Sequence, residues 1–277
     1  MINTLVSLNA DLASSIAYRY SCLLTALTDI RLQPIHVEEV DKEGYPPGSG
    51  WVRSTWEKGL IQTAQEEISQ LINTEKDSCP PVDNTLVCIG DREDELLKEI
   101  EVHSYDLLLE GVLSSFDAQL FHKKVRSKLY RHAPCPIILV KNLVNPGRMG
   151  LLLGDLQDVT PVVSTFLKLF QKSKLAIDLV YYVPIHGGEK EAKQTVAEAT
   201  IAGFEPAGPV FDKAKAMLAD HGWTPAESWI IRNSPKNIGE MLGEYGLVGA
   251  TIPRSTTRKN LAIDLLSRVP SATLLCK

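Results

Sequence analysis

The stretch Arg131-His132-Ala133-Pro134-Cys135-Pro136-Ile137-Ile138-Leu139-Val140 decides the fold. A basic helical segment over 118–131 stops in front of it, two prolines that cannot continue a helix flank Cys135, and an unbroken apolar run follows. A run with no polar side to offer water reads as a strand covered on both faces of a sheet. Cys135, held between prolines just before that strand, reads as a buried structural thiol rather than a nucleophile.

Working outward, the same alternation recurs on both sides. Apolar runs over 5–8, 32–37, 85–89 and 107–109 read as strands, and helical spacing marks 12–27, 52–71 and 93–103. In the second of these helices Trp56, Leu60, Ala64 and Ile68 share one face, and Asp91, Glu93, Asp94 and Glu95 open the third, where acids suit the positive end of the helix dipole. Tyr45-Pro46-Pro47-Gly48-Ser49-Gly50 is a surface loop. After Asn145-Pro146-Gly147 the plan starts again: strands over 151–153, 176–183, 229–232, 247–250 and 273–276, and helices over 159–170, 189–202, 210–221, 236–245 and 259–268. Residues 203–209 should break the helical region between 189 and 221. The expectation is two α/β domains, 1–144 and 149–277, with the break near Pro146.

Composition agrees with a globular chain. The 277 residues are 44% hydrophobic and 23% charged, with a formal net charge of −5. That balance gives no overall pull toward nucleic acid or an anionic membrane. No apolar run approaches the roughly 18 residues that span a bilayer, and the first residues lack a basic n-region, so neither a membrane segment nor a secretory signal is expected. Five scattered cysteines, Cys22, Cys79, Cys88, Cys135 and Cys276, contain no Cys-x-x-Cys pair. Reduced thiols and a cytoplasmic location are the expectation. The six histidines show no metal-ligand spacing, and neither a Gly-x-Ser-x-Gly elbow nor a P-loop is present, so no catalytic or metal site is expected.

Two stretches resemble the universal stress protein family: Gly90-Asp91 with the following helix and Tyr105-Asp106-Leu107-Leu108-Leu109-Glu110-Gly111, and the Arg131 to Val140 sequence, since the family commonly enters its last strand through His-Ala-Pro-Cys-Pro. Arg268-Val269-Pro270-Ser271-Ala272 stands in the corresponding place of the more divergent second half. The chain is similar to tandem members. The resemblance implies two open five-stranded parallel sheets flanked by helices, Rossmann-like and of the adenine nucleotide alpha hydrolase type, packed as an internal pseudo-dimer through their last strands. Ligands of such sheets bind beyond the carboxyl ends of the strands.

The resemblance also implies where a nucleotide would bind: an acidic residue after the first strand, Gly-x-x-Gly after the fourth, and Gly-Ser or Gly-Thr opening the last helix. Glycines let backbone approach phosphate, and the helix N-terminus supplies free N–H groups. In the first half these positions hold Asn9, Gly111 with Ser114, and Lys123-Lys124; in the second, Asp155, Gly249 with Ile252, and Lys259-Asn260. Val37 and Val183, which end the second strand of each half, complete the candidate set. Gly111 and Gly249 also read as plain strand-exit turns, Asp155 as a helix cap, and the cations of 123–131 as a solvated face.

With the motif incomplete in both halves, the expectation is a non-catalytic stress-response or regulatory protein with degenerate nucleotide sites and no bound cofactor. One alternative is a sensor binding ATP, AMP or another adenine nucleotide at an altered site. The other is an interaction scaffold using loops 45–51 and 203–209. The pseudo-dimer of the two halves is the expected internal partner, with a homodimer or an unidentified protein as external ones and neither nucleic acid nor membrane.

Overall fold

The computed structural model describes residues 1–40, 50–75, 77, 79–82, 84–113, 118–154, 158–173, 175–185, 191–201, 207–253 and 260–277. The first half runs β1 (Ile2–Ser7), α1 (Leu12–Thr25), β2 (Ile30–Glu38), α2 (Trp51–Thr74), β3 (Leu86–Ile89), α3 (Arg92–His103), β4 (Leu107–Gly111), α4 (Ala118–Val125), α5 (Lys128–His132) and β5 (Ile137–Val140). The second runs β6 (Arg148–Leu153), α6 (Thr160–Phe170), β7 (Ala176–Pro184), β8 (Ala192–Thr195), α7 (Val196–Ile201), α8 (Gly208–Ala219), β9 (Glu227–Asn233), α9 (Pro235–Met241), β10 (Leu247–Thr251), α10 (Leu261–Arg268) and β11 (Ala272–Cys276).

The strand order is β3-β2-β1-β4-β5-β11-β10-β6-β7-β9-β8. The two expected sheets are thus one eleven-stranded sheet. Pairing is parallel from β3 to β5 and from β11 to β9, while β5 and β11 meet antiparallel with Leu139 opposite Thr273, Ile138 opposite Leu274 and Ile137 opposite Leu275. Both strands are apolar and buried at the seam apart from Thr273, and either edge left open would offer unpaired backbone to another chain. One apolar layer, holding Tyr18, Tyr20, Leu24, Phe166, Phe170 and Phe211, covers one face; a second, holding Leu97, Phe121, Leu129, Ile263, Leu266 and Val269, covers the other. Each layer includes residues from both halves.

A reciprocal pair of lysines closes the seam. Lys141 follows β5 and is buried; its Nζ donates to the carbonyl oxygens of Leu266 and Val269 (the latter at 2.9 Å), at the C-terminal end of α10, and lies 4.5 Å from the Phe121 ring centroid. Lys277 follows β11 and donates to the carbonyl of Ala133, at the C-terminal end of α5, at 3.2 Å. Each half thereby caps the last helix of the other, where helix carbonyls lack partners. Tyr20 Oη adds a third tie, donating to the Gly246 carbonyl at 2.9 Å.

Several local expectations are corrected. The helix expected over 118–131 is two helices, because Arg126 and Ser127 bond back three residues, to Lys123 and Lys124, and Ser127 is extended. Within 189–202, the described part is the polar edge strand β8, antiparallel to β9, followed by α7. Thr195 and Glu198 form a capping box that starts that helix: Thr195 N–H donates to Glu198 Oε2 at 2.8 Å, and Glu198 N–H to Thr195 Oγ1 at 3.3 Å.

The thiols are not all reduced. Cys22 on α1 and Cys79 beyond α2 form a disulfide with Cα atoms 5.0 Å apart, beside the Arg19–Glu75 ion pair at 2.6 Å, so two ties hold α1 to the end of α2. Cys88, Cys135 and Cys276 are free; burial pushes the Cys135 thiol up to about 11 and that of Cys276 to about 12, leaving both unreactive at neutral pH. No helix among the described residues is long and apolar enough to cross a membrane.

Two predictions follow from these ties. The disulfide closes a sequence separation of 57 residues. Cys22→Ala with Cys79→Ala should lower unfolding stability by up to about 4 kcal/mol, read as a lower urea midpoint, with reduction of the wild type giving the same shift. Burial pushes the Lys141 ammonium down from 10.5 to about 7. Between those values the unfolded chain holds a proton that the folded chain has released, so this group's contribution to stability rises with pH. The stability of the wild type relative to Lys141→Met should therefore increase between pH about 7 and about 9, measured by chemical denaturation at each pH.

Candidate functional site

Beyond the carboxyl ends of β1 and β4 lies a cavity of about 610 Å³. Its walls include Asn9, Arg92, Glu110, Gly111, Lys123 and Lys124. The loop after β1 is tied back on itself: Asn9 N–H donates to Ser14 Oγ at 2.7 Å, and Asp11 caps α1 by accepting from Ser14 N–H at 2.7 Å. The α1 N-terminus therefore already carries a carboxylate.

Glu110 organises this cavity. It ends the apolar run of β4 and is 1% exposed, yet it is charged. Arg92, at the start of α3, donates to Glu110 Oε2 and to Ser7 Oγ at 2.9 Å, while Lys124 Nζ lies 2.9 Å from Glu110 Oε1 and 5.7 Å from the Tyr130 ring centroid. Burial alone would raise the carboxyl pKa, but the charges of Arg92 and Lys124 outweigh it and hold the group below the usual glutamate range. The Glu110 charge in turn outweighs burial on Arg92 and raises the guanidinium.

Gly111 has a packing role. A Cβ there would lie 2.0 Å from the Ala13 carbonyl oxygen, so glycine is required for β4 to pass the first turn of α1. Gly111→Ala should destabilise the protein by about 1–3 kcal/mol, seen as a lower thermal midpoint with no nucleotide present.

The other expected site residues are scattered. Val37 is buried in the apolar layer beside Leu97 and Phe121, with Cys88 across the ladder. Val183 is half-buried on β7 opposite Arg232. Gly249 does not follow the fourth strand of its half: it is in the middle of β10, between Leu151 and Leu274, where a Cβ would meet the end of Met149. It is a packing residue inside the strand, not in the turn that leaves it. Ile252, at the position of a second glycine, is buried and its N–H donates to the Cys276 carbonyl at 2.6 Å. Ser114, Asp155 and Lys259 lie outside the described residues, as do 45–49 and 203–206 of the two loops. Trp51 opens α2, and Gly208 and Pro209 open α8.

Thus the first half brings Asn9, Gly111, Lys123 and Lys124 to one cavity, and the residues that define its electrostatics, Glu110 and Arg92, are ones that motif matching passed over. The readable signal was an acid closing the apolar run Leu107-Leu108-Leu109, since a charge there needs partners. Among the described residues no group of three or more His, Cys, Asp or Glu is placed to hold a metal.

No protein-family model and no curated protein matches the sequence. Solved structures do. A universal stress protein from Archaeoglobus fulgidus DSM 4304 superposes with a TM-score of 0.58 at 12% identity, over 99% of this chain and 96% of its own. A candidate universal stress protein from Pseudomonas aeruginosa UCBPP-PA14 gives 0.56 at 15%, over 99% and 92%. A protein of unknown function from Pseudomonas aeruginosa PAO1 gives 0.56 at 14%, over 99% and 91%. The fold is that of solved universal stress proteins, an α/β sheet of the Rossmann-like kind matched along nearly the whole chain.

Proposed function

We propose that this chain is a tandem universal stress protein, with domains 1–144 and 149–277, that acts by binding in a stress response and not by catalysis. In this reading its first-half nucleotide site is closed from within. The observation that carries it is the Glu110 carboxylate, which takes two of the three cations lining the cavity, Arg92 and Lys124, that a phosphate entering it would use. A phosphate there would meet a buried negative charge at short range, and no glycine cradle replaces the lost contacts. In the second half Ile252 fills the place of a phosphate-binding glycine with apolar bulk. The cytoplasmic placement goes with the stress-protein reading, and the redox state of Cys22 and Cys79 in freshly prepared protein bears on it directly.

The competing reading, an adenine-nucleotide sensor, is favoured by the cavity itself, since Lys123 and Lys124 still face it. Equilibrium binding of ATP and AMP to the wild type, Glu110→Gln and Lys124→Ala separates the two. The closed-site reading expects no nucleotide binding in the wild type that Lys124→Ala abolishes, and at least a tenfold gain in Glu110→Gln, where two cations lose their counter-charge. Micromolar ATP binding in the wild type that is lost in Lys124→Ala would establish the sensor instead.

A further inference from the structure

On the other side of α4 from the closed cavity, a larger cleft of about 1070 Å³ separates α4 of the first half from α10 of the second. Among the described residues its walls carry Lys123, Arg126 and Arg268 against one carboxylate, Asp264. Asp264 is already engaged, by Arg268 at 3.3 Å and by His122 at 3.9 Å. Lys123 on α4 and Arg126 just beyond its end, three residues on, are exposed and make no ion pair among the described residues. Ser127, at the mouth shared with the first cavity, has a hydroxyl that is shielded from water and has no hydrogen-bond partner there. Leu261 and the carbon stems of Gln119 and the arginines supply apolar wall.

Two cations without an ion pair among the described residues, and a third held by a half-buried i,i+4 pair, define an anion subsite. The volume exceeds what an inorganic ion fills and falls in the range of cavities that take organic ligands. We propose that this inter-half cleft binds a small phosphorylated organic molecule, its phosphate held by Lys123 and Arg126 with Arg268 opposite, and its carbon body against Leu261. The cleft exists only because β5 and β11 join the halves, so the ligand would bridge them, and its occupancy would depend on the seam. This inference stands apart from the closed-site reading, because none of Arg92, Glu110 and Lys124 lines the cleft.

The test uses the full chain and 1-naphthyl phosphate, with 1-naphthol as the uncharged control, followed by titration calorimetry. The phosphate should bind at submillimolar concentration, more weakly as salt is raised, while the naphthol does not. Arg126→Ala and Arg268→Ala, which leave the packed Cβ positions in place, should each weaken binding about tenfold, and Asp264→Asn should strengthen it. Absence of saturable binding, naphthol binding as well as its phosphate, or binding indifferent to both arginine substitutions would overturn the inference. Binding that responds to Glu110→Gln and not to Arg126→Ala would place the ligand in the first-half cavity and overturn it equally.

Discussion

Everything distinctive about this molecule depends on the antiparallel pairing of β5 with β11. Strands as apolar as Ile137–Val140 and Ala272–Cys276 cannot stand at an open sheet edge without inviting another chain. Pairing them satisfies both edges within one chain and makes the strand order of one half mirror that of the other. Lys141 and Lys277 extend the same symmetry beyond the strands, each leaving the end of its strand to cap the last helix across the seam. A lysine buried there tolerates the loss of water because its N–H groups meet carbonyls that the helix itself leaves unsatisfied.

The two spaces that share Lys123, one within the first half and one between the halves, differ in how their cations are engaged. At the carboxyl ends of β1 and β4, a buried carboxylate had to be paired, and the groups available were the cations that a phosphate would use. Two of the three cations lining that cavity, Arg92 and Lys124, are therefore taken by Glu110. Across α4, where the halves meet, the cations face outward over a wider opening and are largely unspent. The two adjacent lysines of α4 thus point their charge in two directions: Lys124 inward onto Glu110, Lys123 to the mouth shared by both spaces.

Much of the fold was legible because buried parallel strands must be apolar throughout. The runs ending in Ile138-Leu139-Val140 and in Leu274-Leu275-Cys276 admit no other role, and their exposure at a sheet edge pointed to a partner strand. What escaped has a common cause, in that it depends on contacts remote in sequence. Ala192-Lys193-Gln194-Thr195 has no apolar run and becomes a strand because β9 offers it an edge. Cys22 and Cys79 carry no spacing signal, and their pairing follows from α1 and α2 packing on the same face. Lys141 looks like any charged residue ending a strand until α10 arrives from the other half. Of the site, Gly111, Lys123 and Lys124 were found by position, while Glu110 and Arg92 were not, since the ion pair joins residues from two elements. Gly249 misled because a lone glycine near a strand end resembles an exit turn, and only the register with Leu151 and Leu274 shows it inside the strand.

The central claim is that the halves form one body through the β5–β11 seam. Amide hydrogen exchange at Ile137–Leu139 and Thr273–Leu275, compared with the outer strands β3 and β8, tests it most directly. The account predicts that the seam amides exchange among the slowest in the protein, through an opening free energy close to that of global unfolding and equal on both strands. Seam amides that exchange as fast as those of β3 or β8, or strands that open with different free energies, would show two independent halves and contradict it.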